Sequence, residues 1–328
     1  MKAILCTQLG PPETLVVEEV PSLGTPGAGE VLLDVKAAGV NFPDTLIIEG
    51  KYQFQPPLPF SPGGEAAGIV QATGPGVEGY QVGDRVIAFN PWGAFAEQMM
   101  VNANQVMPIP AGMDFPHAAA FLLTYGTSHY ALRDRAQLQP GETLLVLGAA
   151  GGVGLAAIEI GKLMGARVIA AASTDEKLAF CKEHGADEGI NYSTEDLRKR
   201  VKELTGGDGV DVVYDPVGGD YAEPAIRSLA WKGRYLVVGF AAGDIPKIPL
   251  NLLLLKGSAV LGVFWGSFIA REPAVNRALF EELNRWVAEG KLTPHLSAVY
   301  PMEQVAQALR DITERRVKGK VVLDMQGR

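Results

Sequence analysis

The sequence is poor in cysteine, in histidine and in positive charge, and each shortage excludes a class of protein. Its 328 residues include two cysteines, Cys6 and Cys181, which cannot build a disulfide framework or a four-cysteine zinc site. The four histidines show no metal-ligand spacing, so we expect each to be structural. They are His117, His129, His184 and His295. The formal net charge of -8 argues against binding to the backbone of a nucleic acid.

Long hydrophobic runs are also missing. The longest, over residues 250–255, is far too short to span a bilayer, and residues 1–13 lack the apolar stretch of a secretory signal. We therefore expect a soluble cytoplasmic protein with reduced thiols. Hydrophobic residues make up 47% of the chain and charged residues 20%, the balance of a folded protein with a sizeable core. The length is sufficient for two domains.

The first third of the chain has the pattern of short strands separated by turns. Alternating or β-branched residues predict the strands, and turn-forming segments such as PSLGTPGAGE lie between them. The predicted strands cover residues 1–5, 15–20, 30–39, 65–72, 84–89 and 94–101. A succession of short strands favours a partly open barrel over an array of βαβ units.

After a helical stretch at residues 117–132, strands alternate with helices. The predicted strands cover residues 143–147, 167–172, 210–214, 234–238 and 258–263, and helices begin near residues 152, 175, 194 and 220. This alternation predicts parallel pairing through right-handed crossovers, in a doubly wound α/β sheet. Two further helices are predicted at residues 272–289 and 302–315. A last strand follows at residues 320–323, before the C-terminus.

A glycine-rich turn is the strongest local signal. Gly148, Gly151 and Gly154 follow the predicted strand at residues 143–147, and a helix and a second strand come next. Glycines in this context let the backbone turn tightly and approach a pyrophosphate, which the helix N-terminus attracts. The pattern therefore predicts a dinucleotide site. A glycine-lined helix–strand contact without a ligand is the alternative.

The end of the second strand of this α/β segment bears on the choice of cofactor. NAD sites carry an Asp or Glu there for the ribose 2′-hydroxyl, but this strand ends in Ala172 followed by Ser173. The first acid, Asp175, caps the next helix or lies in its first turn, and Lys177 follows. A small hydroxyl residue with a lysine suits a 2′-phosphate, which favours NADPH. A solvated surface position is the alternative for Lys177.

These features, with the first third of the chain, resemble the medium-chain dehydrogenase/reductase superfamily over essentially the whole sequence. The matching segments are AAGVNFPDTLIIEGKY, PGGEAAGIV, GYQVGDRV, GAFAE, GAAGGVG, DVVYDPVGG and GKVVL. The chain is most similar to the zinc-free quinone oxidoreductases related to ζ-crystallin. Zinc-dependent alcohol dehydrogenases carry a cysteine ligand where this chain has Asn41, and a histidine where it has Gly64.

The resemblance implies two domains with the active site in the cleft. A β-rich, GroES-like catalytic domain would cover residues 1–123 and 265–328, and a dinucleotide-binding Rossmann domain residues 124–264. The resemblance also implies NADPH, no metal, and a homodimer or tetramer joined through the edge strand at residues 258–263. Hydride transfer from NADPH to a quinone is the expected activity. The alternatives are reduction of an activated carbon–carbon double bond in an enone, enal or acrylyl thioester, and non-catalytic NADPH binding.

The resemblance assigns roles to individual residues. Catalytic roles are expected for Asn41, Asp44, Tyr52 and Ser128. The nicotinamide side of the cofactor is expected near Asn41, Phe42, Ser128, Gly239, Phe240, Ala241, Phe264, Trp265 and Lys320. The pyrophosphate is expected at Gly151, Gly152 and Val153, and the adenosine ribose and 2′-phosphate at Ser173, Lys177, Tyr192 and Arg315, with Arg316 as an alternative.

Some of these residues have structural alternatives. Asp44 could cap the short helix that follows it, Tyr192 could pack against the helix that begins near residue 175, and Phe264 and Trp265 could be core or dimer contacts. Leu46 departs from relatives that carry a tyrosine at this position.

Overall fold

The computed structural model describes residues 1–327, and the chain divides into two compact units. The first, which we call the β unit, comprises Met1–Leu123 and the chain from Gly266 onward. The second, the α/β unit, comprises Thr124–Trp265. The predicted boundaries differ from these by one residue, since Trp265 belongs to the α/β unit. No helix within residues 1–327 has both the length and the apolar character needed to cross a membrane.

The elements are numbered in chain order. The strands are β1 (Lys2–Leu5), β2 (Val16–Glu19), β3 (Glu30–Val40), β4 (Glu65–Thr73), β5 (Arg85–Phe89), β6 (Gln98–Asn102), β7 (Val106–Pro108), β8 (Thr143–Leu147), β9 (Arg167–Ala172), β10 (Glu188–Asn191), β11 (Val210–Asp215), β12 (Leu229–Val237), β13 (Ala259–Gly262), β14 (Leu296–Pro301) and β15 (Lys320–Asp324). The α-helices are α1 (Phe42–Ile47), α2 (Phe115–Ala118), α3 (Leu122–His129), α4 (Gly152–Leu163), α5 (Asp175–Glu183), α6 (Leu197–Leu204), α7 (Ala222–Arg227), α8 (Asn251–Lys256), α9 (Trp265–Arg271), α10 (Pro273–Ala288) and α11 (Val305–Thr313).

The α/β unit is built on a six-stranded sheet with the strand order β10-β9-β8-β11-β12-β13. All neighbouring strands pair in parallel, so the predicted doubly wound fold is confirmed. β8 and β9 begin and end where the sequence predicts them. Their near-continuous apolar runs are buried almost throughout, which is typical of central strands covered on both faces.

Several predicted boundaries in the α/β unit were wrong. β10 was not predicted, because its four residues include Gly189 and Asn191, which disfavour strands. β12 begins at Leu229 instead of residue 234. α6 begins three residues later than predicted, because the side chain of Asp196 caps it by accepting from the N–H of Lys199 at 2.7 Å.

The β unit contains a seven-stranded sheet centred on the long strand β3. The order is β14-β15-β3-β4-β5-β7, and β6 also pairs with β3. The first half of β3 pairs with β6 over residues 30–34, and its second half pairs with β15 over residues 37–40, so the sheet forks along this strand. The strand predicted from residue 94 begins only at Gln98, and β7 and β14 were not predicted. The apolar core of the unit includes both β3 and residues of α11.

Candidate active site

The glycine turn connects β8 to α4 at the point where the strand order of the parallel sheet reverses. Gly148 has a φ of 57°, in the left-handed region, and a Cβ there would lie 2.8 Å from Cγ2 of Val217. A Cβ on Gly154 would lie 2.4 Å from the carbonyl oxygen of Gly148, so another residue would push α4 away from the turn. Ligands of doubly wound sheets bind at the carboxyl ends of strands beside this reversal.

The N-terminus of α4 presents backbone donors at this turn. The first intrahelical hydrogen bond runs from the N–H of Leu155 to the carbonyl of Gly151, at 2.8 Å. The N–H groups of Gly152 and Val153 therefore precede the ladder of the helix and can donate to a ligand. Apart from its own chain neighbours, a Cβ on Gly151 would meet only the carbonyl oxygen of Gly148, at 3.4 Å, among the described residues. These residues fit a dinucleotide pyrophosphate.

Ser128 connects α3 to the glycine turn. Its hydroxyl donates to the carbonyl of Val153 at 2.8 Å and lies 2.9 Å from the hydroxyl of Tyr214 on β11. Ser128 and Tyr214 are both buried, and burial raises the pKa of Tyr214, so that its hydroxyl stays neutral. The structure thus places Ser128 beside the predicted pyrophosphate residues.

At the end of β9, the chain turns directly into α5. Thr174 caps this helix through Oγ1, which accepts from the N–H of Lys177 at 3.2 Å. Asp175 lies in the first turn, as predicted, and its carboxylate accepts from the side-chain amide of Asn191 at 2.8 Å. Ser173 and Lys177 are half-buried. The first acid after the strand is therefore engaged with the end of β10.

The remaining predicted cofactor residues of the α/β unit differ in exposure. The ring of Tyr192 packs against Tyr221, with 4.5 Å between the ring centroids. Trp265 is buried, and a Cβ on Gly126 would lie 2.9 Å from its indole, so the core alternative holds for Trp265. Phe264 is 44% exposed. Gly239, Phe240 and Ala241 form the loop that follows β12.

In the β unit, the predicted residues Asn41, Asp44 and Lys320 meet Glu65 in a group of side chains that we call the buried polar cluster. The ammonium of Lys320 donates to the carbonyl of Val40 at 3.0 Å, to Oδ1 of Asn41 at 2.6 Å and to Oε2 of Glu65 at 3.4 Å. An ammonium has three hydrogens, and these three acceptors use them all. Lys320 therefore contacts Asn41 directly.

Asn41 is held on every side. Its backbone N–H donates to the carboxylate of Asp44 at 2.7 Å, and its side-chain amide donates to Glu65 and to the carbonyl of Gly39, both at 3.2 Å. The other carboxylate oxygen of Glu65 accepts from the N–H of Leu123 at 2.8 Å. Asp44 lies in the first turn of α1, so the alternative role as a capping residue holds for it.

Burial dominates the electrostatics of this cluster. Desolvation raises the pKa of Asp44 to about 7, although the N–H of Asn41 and the charge of Lys320 both lower it. Desolvation lowers the pKa of Lys320, against the attraction of the two carboxylates. Burial also raises the pKa of Tyr52, and the charge of Asp44 adds to this effect. The pKa of Asp44 thus lies near neutral pH.

The buried polar cluster does not fit a catalytic zinc ion. Catalytic zinc is held by thiolate, imidazole and carboxylate groups, whereas this cluster offers an amide, carboxylates and an ammonium that would repel a metal cation. Over residues 1–327, no three His, Cys, Asp or Glu side chains are grouped so that they could hold a metal ion.

The two adjacent arginines after α11 have different environments. Arg315 has a φ of 58°, and this left-handed conformation ends the helix. The guanidinium of Arg316 pairs with Asp311 at 3.4 Å and also with Glu314. Arg315 stays the predicted residue for the 2′-phosphate, with Arg316 as the alternative.

Sequence reasoning missed Glu65 as a site residue. It lies 24 residues from Asn41 and 255 from Lys320, so no local spacing connects the three. The available signal was a single acid at the start of the apolar strand segment EAAGIV. A buried carboxylate in such a strand needs a partner.

Two family models match the chain: an alcohol dehydrogenase GroES-like domain over residues 27–111 and a zinc-binding dehydrogenase domain over residues 152–285. Quinone oxidoreductase-like protein 2 of Rattus norvegicus is 40% identical over 99% of this chain and 92% of that protein. The quinone oxidoreductase of Pseudomonas aeruginosa is 36% identical over 98% of this chain and 99% of that protein.

Solved structures give the same result. The Escherichia coli quinone oxidoreductase complexed with NADPH is 32% identical, with a TM-score of 0.91 over 99% of this chain and 100% of that one. A 2-haloacrylate reductase is 31% identical, with a TM-score of 0.88 over the same shares of the two chains. The chain therefore belongs to the medium-chain dehydrogenase/reductase superfamily, in the branch of the quinone oxidoreductases.

Proposed function

We propose that this protein is a zinc-independent, NADPH-dependent oxidoreductase that reduces a quinone. The glycine turn at the reversal of strand order carries the proposal, together with Ser173, which follows β9, and Lys177 in the first turn of α5. The nearest acid, Asp175, binds Asn191, which argues against an acidic contact to a ribose 2′-hydroxyl. The NADPH bound to the homologous Escherichia coli enzyme supports the choice of cofactor.

NADPH, when bound, supplies the hydride. The N–H groups of Gly152 and Val153, next to Gly151, would bind its pyrophosphate. The adenosine ribose and 2′-phosphate would bind to four polar side chains. These are the hydroxyl of Ser173, the ammonium of Lys177, the phenol of Tyr192 and the guanidinium of Arg315. We place the loop of Gly239, Phe240 and Ala241 near the nicotinamide half, together with the main chain of Phe264 and Trp265. This assignment follows the family pattern residue by residue.

The buried polar cluster would shape the nicotinamide side of the site. Lys320 and Glu65 fix the amide of Asn41, so its orientation is set before a ligand arrives. We therefore assign Lys320 to positioning Asn41, beside Phe42, rather than to contacting the cofactor itself. Asp44, with a pKa raised to about 7, and Tyr52 are the groups that can exchange protons there.

A quinone suits a site of this composition. The negative charge that hydride addition creates spreads through the ring onto a phenolate-like oxygen, so no metal is needed to polarise a carbonyl group. Protonation of that oxygen then needs one donor or water. Ordinary alcohol oxidation lacks this advantage and would require an electrophile.

Reduction of an activated carbon–carbon double bond is a second candidate. The structural similarity to a 2-haloacrylate reductase favours it, because that substrate class also accepts hydride without a carbonyl electrophile. Non-catalytic NADPH binding is the third possibility and predicts cofactor affinity without turnover.

Steady-state oxidation of NADPH by the purified protein tests these candidates. The panel would contain 1,4-benzoquinone, 9,10-phenanthrenequinone, an enone, an enal and 2-chloroacrylate, each with NADPH and with NADH. We expect the highest kcat/KM with a quinone and NADPH. Preference for an alkene would replace the quinone proposal with the second candidate. NADPH binding without turnover on any acceptor would contradict both enzymatic readings.

We also propose a cytoplasmic homodimer joined through the edge strand β13. Large apolar side chains are exposed on this strand and around it. They are Trp231, Ile245, Leu250, Leu254, Leu255 and Val260. Unpaired edge strands beside exposed apolar side chains favour association with a second copy. The structure itself contains a single chain, and the proposal rests on these exposed groups and on the family pattern.

A further inference from the structure

The segment DVVYDPVGG carries a buried aspartate that the cofactor site described above does not use. Asp215 is the last residue of β11 and is 1% exposed. One oxygen of its carboxylate accepts from the N–H groups of Val217 at 2.6 Å and Gly218 at 2.8 Å. The other accepts from the hydroxyl of Tyr235, which is buried on β12.

The backbone of Asp215 joins the same two strands. Its carbonyl accepts from the N–H groups of Val238 at 2.9 Å and Gly239 at 3.3 Å, immediately after β12. The loop after β11 is held in turn, because the N–H of Ala241 donates to the carbonyl of Pro216 at 3.0 Å. One residue therefore fixes the starts of two neighbouring loops.

These loops adjoin the glycine turn. A Cβ on Gly148 would lie 2.8 Å from Val217, and a Cβ on Gly218 would lie 2.9 Å from the ring of Phe240. The segment at residues 216–219 thus packs between the proposed pyrophosphate turn and the proposed nicotinamide loop. A shift in it would displace both.

The composition of this pair also indicates a positioning role. An apolar pair of the same volume would avoid the cost of burying a carboxylate and a phenol. Burial raises the pKa of Asp215, while the two amides and Tyr235 lower it. The hydroxyl of Tyr235 has a raised pKa and remains the donor. A buried polar pair with all its donors matched specifies one loop geometry.

We propose that Asp215 and Tyr235 are positioning residues for the cofactor, because they set the geometry of the loops at residues 216–219 and 239–243 around it. The inference rests on the proposed NADPH-dependent function. It predicts that weakening the pair reduces NADPH affinity and raises the KM for NADPH. The effects on kcat and on thermal stability should be smaller.

The test uses the full-length protein with Tyr235→Phe, Asp215→Asn and Asp215→Ala. NADPH affinity is measured by fluorescence titration, and Tm is measured without ligand. We expect Kd to rise about threefold in Tyr235→Phe and tenfold or more in Asp215→Ala. Asp215→Asn should lie between them, because its side-chain oxygen still accepts from the two amides. Tyr300→Phe, which removes a tyrosine–Asp311 hydrogen bond in the β unit, is the matched control and should leave Kd unchanged.

Amide hydrogen exchange of the free protein provides a readout that does not need the cofactor. Exchange at Val217 and Gly218 should accelerate in the Asp215 variants and in Tyr235→Phe, but not in Tyr300→Phe. If the variants have a lower Tm but an unchanged Kd for NADPH, the inference is overturned and the proposed function remains intact. Failure of the wild-type protein to bind NADPH would overturn both.

Discussion

Asn41 shows how a polar residue can be fully engaged before any ligand binds. Its amide oxygen faces the ammonium of Lys320, and its amide nitrogen faces Glu65 and the carbonyl of Gly39. The identity of each neighbour fixes which end of the amide points where. The sequence predicts Asn41, Asp44 and Lys320 as site residues, but it could not indicate that they touch. Their contact depends on the antiparallel pairing of β15 with β3, which has no local signature.

Asp44→Asn should remove a pH dependence of stability. The pKa of Asp44 rises from about 3.9 when unfolded to about 7 when folded, so folding favours the protonated form. Its contribution to the free energy of unfolding is therefore complete below pH 4 and is lost as the pH rises towards 7. Urea unfolding at pH 5, 6 and 7 should show wild type losing about 1.3 kcal/mol from pH 5 to 6 and about 1 kcal/mol from pH 6 to 7, relative to Asp44→Asn.

Asp84→Asn is the control for this measurement, because Asp84 accepts a backbone N–H of Gln81 in a similar turn at the surface. The assignment to Asp44 would be contradicted if both variants differed from wild type by the same pH slope. It would also be contradicted if neither variant differed from wild type.

Lys177→Ala should discriminate between the two nicotinamide cofactors. Loss of a charge-assisted hydrogen bond to the 2′-phosphate should weaken NADPH binding by about 1.5–3 kcal/mol, and NADH binding should change little. Lys182→Ala on the exposed part of the same helix is the matched control. Isothermal titration with both cofactors makes the comparison, and equal NADPH affinity in Lys177→Ala and wild type would remove the basis for this contact.

At the scale of elements, the sequence predicts strands best where both faces are buried. β8 and β9 are apolar after their first residues, Thr143 and Arg167, and were predicted to the residue, whereas β10 and β14 were missed. The edge strands β10 and β14 carry mixed residues, which give a weaker strand signal. The glycine turn was predicted with its flanking elements, because the order of strand, glycines, helix and strand is itself a sequence pattern. The role of Asp215 was not, because Tyr235 is 20 residues away on another strand.

Gly154→Ala should distinguish the effect of packing α4 against the glycine turn from the effect of helical propensity. The added Cβ would meet the carbonyl oxygen of Gly148 at 2.4 Å and Cα of Ala149 at 2.8 Å, and neither backbone atom can move freely. We expect a loss of about 1–3 kcal/mol in unfolding free energy and at least tenfold weaker NADPH binding.

Gly161→Ala, in the same helix, is the comparison. Its Cβ would meet the side chains of Leu144 at 2.8 Å and Val168 at 3.3 Å, which can adjust. NADPH affinity should therefore be retained in Gly161→Ala, as measured by fluorescence titration beside urea unfolding. Equal affinity losses in the two variants would contradict a specific role for the turn.

At the scale of the whole molecule, the edge strands of the two sheets differ in the exposed apolar residues around them. β13 closes the parallel sheet and lies among the exposed apolar residues around Leu250 and Leu254, which is 80% exposed. β14 closes the sheet of the β unit, and its Val299 is exposed to a similar extent to Val260 of β13, 46% against 41%. The two valines therefore form a matched pair for testing which edge associates.

Val260→Lys should dissociate the proposed homodimer, because a charged side chain on an edge strand opposes strand addition. Val299→Lys should leave the dimer intact. Sedimentation velocity at several protein concentrations measures the outcome, with wild type expected at twice the mass of the chain. A monomeric wild type, or dissociation by Val299→Lys alone, would contradict association through β13.

The ammonium of Lys320, with all three hydrogens bonded, determines how the buried polar cluster acquires its positive charge. Its charge is covalently attached to the polypeptide, and its three acceptors come from residues 40, 41 and 65 of the same unit. The cation of the buried polar cluster is thus present as soon as β15 joins β3. Chelating agents cannot extract it, and its supply does not depend on trace elements in the cell.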